Sequence, residues 1–155
     1  MKKPPRSKTE RIMSFRMLSK LLKVGLVMGV MAIGVFLIQL YDGGWHWGNI
    51  LDINNPLYFQ ATAAVYTTLV ICQAANILSC QNEKESFIKG FWSNPWVLYA
   101  ELVSFSMLFL IIDWPPLQSV FKTASPSLYT WIFIIFSFFV FLWIFERNKK
   151  KTGYL

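Results

Sequence analysis

Four apolar runs, each long enough to cross a lipid bilayer, constrain the fold of this 155-residue chain more than any other feature. They occupy residues 21–41, 57–80, 95–112 and 128–145. A transmembrane helix needs about 20 mostly apolar residues, and each run is close to that length. A soluble domain also needs a more polar surface than a chain with 55% hydrophobic and 15% charged residues can supply. We therefore predict an all-α integral membrane protein with four transmembrane helices.

The distribution of basic residues predicts the topology. Eight of the 15 Lys and Arg residues lie at or before Lys23, two lie in the loop of residues 81–94, and four follow Glu146. The two remaining loops hold only Lys122. Because cytoplasmic segments are enriched in Lys and Arg, both termini and the middle loop are expected on the cytoplasmic side of the cell membrane. The predicted organisation is a basic lead-in (residues 1–20), a four-helix domain (21–146) and a basic tail (147–155).

The second apolar run carries polar side chains at helical spacing. At about 100° per residue, five of them fall within about 40° of one line along the helix. These five are Thr62, Tyr66, Gln73, Asn76 and Cys80. An amide in the hydrocarbon region is costly unless it meets a partner, so the face with Gln73 and Asn76 should contact protein or water. The pattern predicts a helix that packs into a larger assembly with a polar interior.

The third run contains a carboxylate, and two interpretations of it stay open. Glu101 lies about six residues into the run, roughly 9 Å from its start. It is either an interfacial residue that reaches the headgroups or an intramembrane ligand for an ion or proton. Ser104 follows one turn deeper. The fourth run is almost purely apolar, and we expect it to face lipid on most sides.

Small residues and cysteines in the spans favour packing roles. Gly25 and Gly29 have the spacing that lets two membrane helices approach closely. Cys72 and Cys80 lie eight positions apart, about 12 Å along one helix, which is too far for a disulfide. We expect no metal site and no catalytic residue. The expected partner is the lipid bilayer, and since the basic residues are explained by topology, no nucleic acid is expected.

Several segments, in order, resemble the carboxy-terminal membrane domain of the P-type cation ATPases, in the branch of the calcium and sodium/potassium pumps. The pattern that begins at Gln73-x-x-Asn76-x-x-x-Cys80 and continues through Ser86-Phe87 to Gly90 and Asn94 is similar to the eighth helix and following loop of that family. The closing segment is matched by Pro115-x-Leu117-Gln118-x-x-Phe121-x-Thr123 and by Trp131. Met1-Lys2-Lys3-Pro4-Pro5-Arg6 looks like the loop between helices six and seven. The four spans then correspond to helices seven to ten of a ten-helix pump.

The resemblance implies roles for individual residues. Gln73 matches the position where the eighth helix of the family places a Glu or Gln near the bound cation, and Asn76 matches a neighbouring Asn or Asp. Ser104 falls where some members carry a Glu on the ninth helix, whereas Glu101 lies one turn earlier. The implied cargo is a cation, and no cofactor is implied for this chain.

The family hydrolyses ATP with segments that these 155 residues do not contain. No Asp here is followed by Lys, so there is no phosphorylation motif DKTGT, and no Gly-rich loop with Lys and Ser or Thr is present. We therefore expect a stand-alone or split membrane domain that supports the transport helices of a pump and cannot pump alone. Its partner would be the missing amino-terminal part or a full-length pump. The alternatives are a self-contained four-helix ion transporter or channel, with Glu101 as its coupling charge, and a regulatory membrane subunit.

Overall fold

The computed structural model describes residues 15–80 and 94–152, and this part of the chain is helical, without strands. The helices are α1 (Phe15–Asp42), α2 (Pro56–Cys80), α3 (Pro95–Asp113), α4 (Pro115–Phe121) and α5 (Leu128–Thr152). Four of them are long and apolar enough to cross a membrane. The prediction of an all-α protein with four membrane-spanning helices is therefore confirmed. The resemblance at residues 1–6 and in most of the loop 81–94 lies outside the described residues.

Local sequence signals explain where the helices begin and end. The side chain of Asn94 accepts a hydrogen bond from the Trp96 amide at 3.2 Å and caps α3, with Pro95 in the first turn, where its missing N–H costs nothing. Asn55 does the same for α2, since its Oδ1 accepts from the Leu57 amide at 2.9 Å. Pro115 cannot continue α3, which ends at Asp113, and instead begins α4. The starts of α2 and α3 and the break between α3 and α4 thus follow from Asn and Pro positions.

Helices α1, α2 and α5 form the core. Two clusters of buried residues join these helices. The first contains Met28, Cys72, Ala75, Phe141 and Leu142. The second contains Val35, Ala64 and Ile134. The alanines of α2 let neighbouring backbones approach closely, which favours helix association in lipid. One face of the last span is enclosed, because Ile134 and Phe141 are fully buried, and the expectation that the span faces lipid on most of its other sides stays a prediction.

Helix α3 is attached differently from the other three long helices. Its buried residues are Leu108 and Ile112, which pack against Ala63 of α2 together with Val70 and Phe105. This contact joins the last turns of α3 to the first half of α2. The first half of α3 lacks buried residues, so a space is left between the two helices beyond the contact.

The connection after α3 differs from the sequence-based expectation of a loop. Residues 115–121 form the short helix α4, whose end is marked by Lys122 in the left-handed region, with a φ of 50°. Gln118 Nε2 donates to the carbonyl of Ile112, and Thr123 Oγ1 donates to that of Ile111 at 2.7 Å. These bonds satisfy carbonyls at the end of α3, which has no further helical turn to do so.

Candidate functional site

The polar stripe of α2 lies on the face that the rest of the described chain leaves open. Between residues 57 and 80, the exposed side chains are Tyr66, Leu69, Gln73 and Cys80. All four share one side of the helix, because their spacings of three, four and seven residues return to the same direction. Thr62 and Asn76, the other members of the predicted stripe, are half-buried. None of the five polar residues is thus enclosed by the described part of the chain.

A groove of about 400 Å³ lies between α2 and α3 along this face. It is lined by Met28 of α1, by Leu69, Val70, Gln73, Ala74 and Ile77 of α2, and by Glu101 and Ser104 of α3. Three of the four candidate cation-path residues, Gln73, Glu101 and Ser104, therefore line one groove. The packing of Leu108 and Ile112 against Ala63 positions them, since it sets how far the first half of α3 stands from α2.

Asn76, the fourth candidate, does not line the groove. Its Oδ1 lies 3.8 Å from Cys80 Sγ, one turn further along α2. The sequence places Gln73 and Asn76 on one stripe, but they are about 60° apart around the helix, and only Gln73 is on the side of α3.

The groove offers oxygen atoms of three kinds. Gln73 has an amide oxygen, Glu101 a carboxylate and Ser104 a hydroxyl, whose proton is donated to the Ala100 carbonyl at 3.0 Å. Such oxygens suit hard cations, which take about six to eight ligands. Three side chains cannot complete that shell. Within residues 15–80 and 94–152, no group of three or more His, Cys, Asp or Glu is placed to hold a metal ion.

The predicted packing glycines of α1 have open space where a side chain would begin. A Cβ atom built at Gly25 or at Gly29 would meet nothing within 4 Å beyond its own helix. Their role in close helix packing stays a prediction, and it would apply to a helix from outside the described residues.

Gln39 is one of several buried polar residues that the sequence analysis did not single out. Gln39, near the end of α1, is only 1% exposed. Its Nε2 donates to Gln60 Oε1 at 3.3 Å, and its Oε1 accepts from the Ser127 amide at 3.0 Å. The signal that could have found it is a lone amide inside an otherwise apolar stretch, VFLIQLY.

The fold and the groove define a class of protein: a multi-pass helical membrane protein whose most buried helix presents a polar stripe outward. A comparison with protein families then identifies the family to which the chain belongs. Residues 1–150 match the family described as "Cation transporting ATPase, C-terminus". The chain belongs to this family, and the resemblance drawn from its sequence is confirmed.

Individual relatives agree with this assignment. The chain is 27% identical over 135 residues to a calcium-transporting ATPase of Bacillus subtilis, covering 87% of the chain and 14% of that protein. It is 29% identical over 154 residues to calcium-transporting ATPase 1 of Yarrowia lipolytica, and the match covers 97% of the chain and 15% of that protein. The chain is 28% identical over 135 residues to human calcium-transporting ATPase type 2C member 1, and the match covers 86% of the chain and 13% of that protein. The chain thus spans about one-seventh of the length of these relatives.

Proposed function

We propose that this chain forms helices seven to ten of a calcium-transporting P-type pump, with both termini in the cytoplasm. The remainder of the pump would pack against the exposed stripe of α2. The observation that carries the proposal is that Gln73, Glu101 and Ser104 line one groove along this stripe. Calcium is the proposed cargo because the relatives quoted above are calcium-transporting ATPases. The proposed location is the cell membrane, with residues 1–20 and 147–155 as its cytoplasmic flanks.

The groove would contribute to the cation path in two ways. Its amide, carboxylate and hydroxyl oxygens would replace part of the water that a calcium ion loses on leaving the solvent. The charge of Glu101 would also attract the cation, and this attraction is stronger near the protein interior than in bulk water. The remaining ligands would come from helices that pack on the open side of the groove.

The energy for transport would come from another part of the pump. The three aspartates here read Asp42-Gly43, Asp52-Ile53 and Asp113-Trp114, so none offers the DKTGT sequence that accepts a phosphoryl group. The role of this chain would be to support the transport helices and to line one side of the path. We expect the reconstituted chain alone to hydrolyse no ATP and to carry no calcium flux.

Transport by the assembled pump tests the proposal. The chain would be co-expressed with a pump portion that carries helices one to six and the cytoplasmic domains, and calcium uptake into vesicles would be measured. Gln73→Leu should raise the calcium concentration for half-maximal uptake about tenfold, because losing one buried hydrogen-bonding or ligand group costs about 1–2 kcal/mol.

A matched pair of serines supplies the control. Ser104 and Ser106 are both exposed on α3, and each hydroxyl donates to the carbonyl four residues earlier, Ser104 at 3.0 Å and Ser106 at 2.8 Å. Only Ser104 lines the groove between α2 and α3. Ser104→Ala should therefore weaken calcium activation severalfold, and Ser106→Ala should leave it unchanged. Equal effects of the two changes, or calcium flux through the chain alone, would contradict the proposal.

A further inference from the structure

The connection between α3 and α5 is bound to the end of α3. Gln118, inside α4, donates to the carbonyl of Ile112, and Thr123, just after α4, donates to that of Ile111. Trp114, just before α4, donates its backbone N–H to Leu110 at 3.1 Å. Because residues before, within and after α4 all bind the last turn of α3, this short helix cannot extend away from it.

The length of α3 sets the depth at which α4 is held. Helix α3 has 19 residues. At about 1.5 Å per residue it is about 28 Å long, which nearly equals the ~30 Å hydrocarbon thickness of a bilayer. If α3 crosses the membrane, its last turn reaches the boundary between acyl chains and headgroups. Helix α4 is then held at that boundary.

Large apolar side chains are exposed at this position. Trp114 is 51% exposed, Val120 73% and Phe121 54%. Of these three, Trp114 also lines a groove of about 610 Å³ at the end of α3, together with Ser106, Phe109, Leu110 and Asp113. Phe109 and Leu110 are exposed there as well. Exposed apolar side chains therefore lie on the last turns of α3 and on α4, and the Asp113 carboxylate at their junction accepts a hydrogen bond from Ser125 Oγ.

We propose that α4, together with Trp114, is an interfacial anchor whose occupant is the lipid headgroup–acyl boundary. Trp114, Val120 and Phe121 insert among the lipids, and Trp114 suits this depth because its ring is both apolar and able to donate a hydrogen bond. Residues 114–127 contain one basic side chain, Lys122, so insertion is driven by apolar surface and not by attraction to anionic headgroups. This role is independent of ion transport.

Single nitroxide labels test the anchor in the full chain, reconstituted into vesicles. Labels are attached to Val120→Cys, Phe121→Cys and, as the matched control on the same helix, Ser119→Cys, in a background with Cys72→Ala and Cys80→Ser. Ser119 is an exposed polar neighbour of Val120. Collision rates with oxygen, which is concentrated in lipid, and with a water-soluble nickel chelate are then compared. Helical content and size-exclusion profile must match the unlabelled background.

The anchor predicts that oxygen collisions exceed nickel collisions at positions 120 and 121, whereas the nickel chelate dominates at position 119. The ratio at 120 and 121 should be the same in neutral phosphatidylcholine vesicles and in vesicles that contain an anionic lipid. The proposal is overturned if the nickel chelate dominates at 120 and 121, which would place them in water. Shielding from both reagents would overturn it too, because a protein and not lipid would then cover α4. A ratio that depends on anionic lipid would rule out the apolar mechanism.

Discussion

Gln39 holds three helices together through a single side chain. Its amide joins α1 to Gln60 of α2 and to the backbone of Ser127, the residue just before α5. Ser127 in turn accepts from the Thr130 amide at 3.2 Å, which caps the first turn of α5. A buried amide is costly when it lacks partners, so this network favours one arrangement of the three core helices over others.

Gln39→Leu should lower the free energy of unfolding by about 1–3 kcal/mol, since it leaves the Ser127 amide and the Gln60 side chain without their partner. Unfolding of the purified chain in mixed detergent micelles measures this change. Ser106→Ala removes an exposed hydroxyl that bonds only within its own helix and serves as the control. The double variant Gln39→Leu, Gln60→Leu should cost less than the sum of the two single changes. Strict additivity, or a Gln39→Leu effect no larger than that of the control, would contradict the network.

At the scale of the helices, α3 is the least firmly attached span. Helix α2 packs on both α1 and α5, whereas α3 joins α2 mainly through Leu108 and Ile112. The candidate groove exists because this contact is confined to one end of α3. Any change in that contact should alter the distance between Gln73 and Glu101.

Ile112→Ala should loosen α3 without unfolding the core. Ile112 is 1% exposed, and removing such a buried side chain costs about 2–5 kcal/mol of packing free energy. Spin labels at Tyr66→Cys on α2 and Leu102→Cys on α3, with the native cysteines replaced, report the distance between the helices. We expect a broader distance distribution in Ile112→Ala and an unchanged one in Met107→Ala, which alters an exposed residue of the same helix. An unchanged distribution in both variants would show that Ile112 does not position α3.

The helices differ in how well the sequence predicts them. The four spans follow from hydropathy, because bilayer thickness fixes their length, but α1 begins at Phe15, ahead of the predicted start at residue 21. Helical hydrogen bonding does not stop at the edge of the apolar run. Helix α4 was missed because seven residues with two prolines show no periodicity. Helical period predicts the polar stripe of α2, yet only the packing of α3 determines that Gln73 lines the groove and Asn76 does not.

For the whole molecule, the proposed function is that of a unit completed by other helices. Helix α2 is the most buried span, yet its exposed positions include Tyr66, Gln73 and Cys80. A helix at the lipid boundary of a finished bundle would present leucine or valine there, since polar groups are disfavoured against hydrocarbon. Membership of the cation-transporting ATPase family is consistent with the pattern, since under the proposed function the transport helices would pack on the stripe.

The most direct test asks what covers position 73 in the assembled pump. Gln73→Cys, in a background with Cys72→Ala and Cys80→Ser, carries a small trifluoroethylthio group, and its fluorine resonance is recorded in lipid nanodiscs that contain spin-labelled acyl chains. Ile132→Cys, an exposed site on α5, serves as the lipid-facing control. When the chain is assembled with helices one to six, we predict that the spin labels broaden the resonance at 132 and leave that at 73 sharp. Equal broadening at both positions would place Gln73 against acyl chains and contradict a role for this face in the pump.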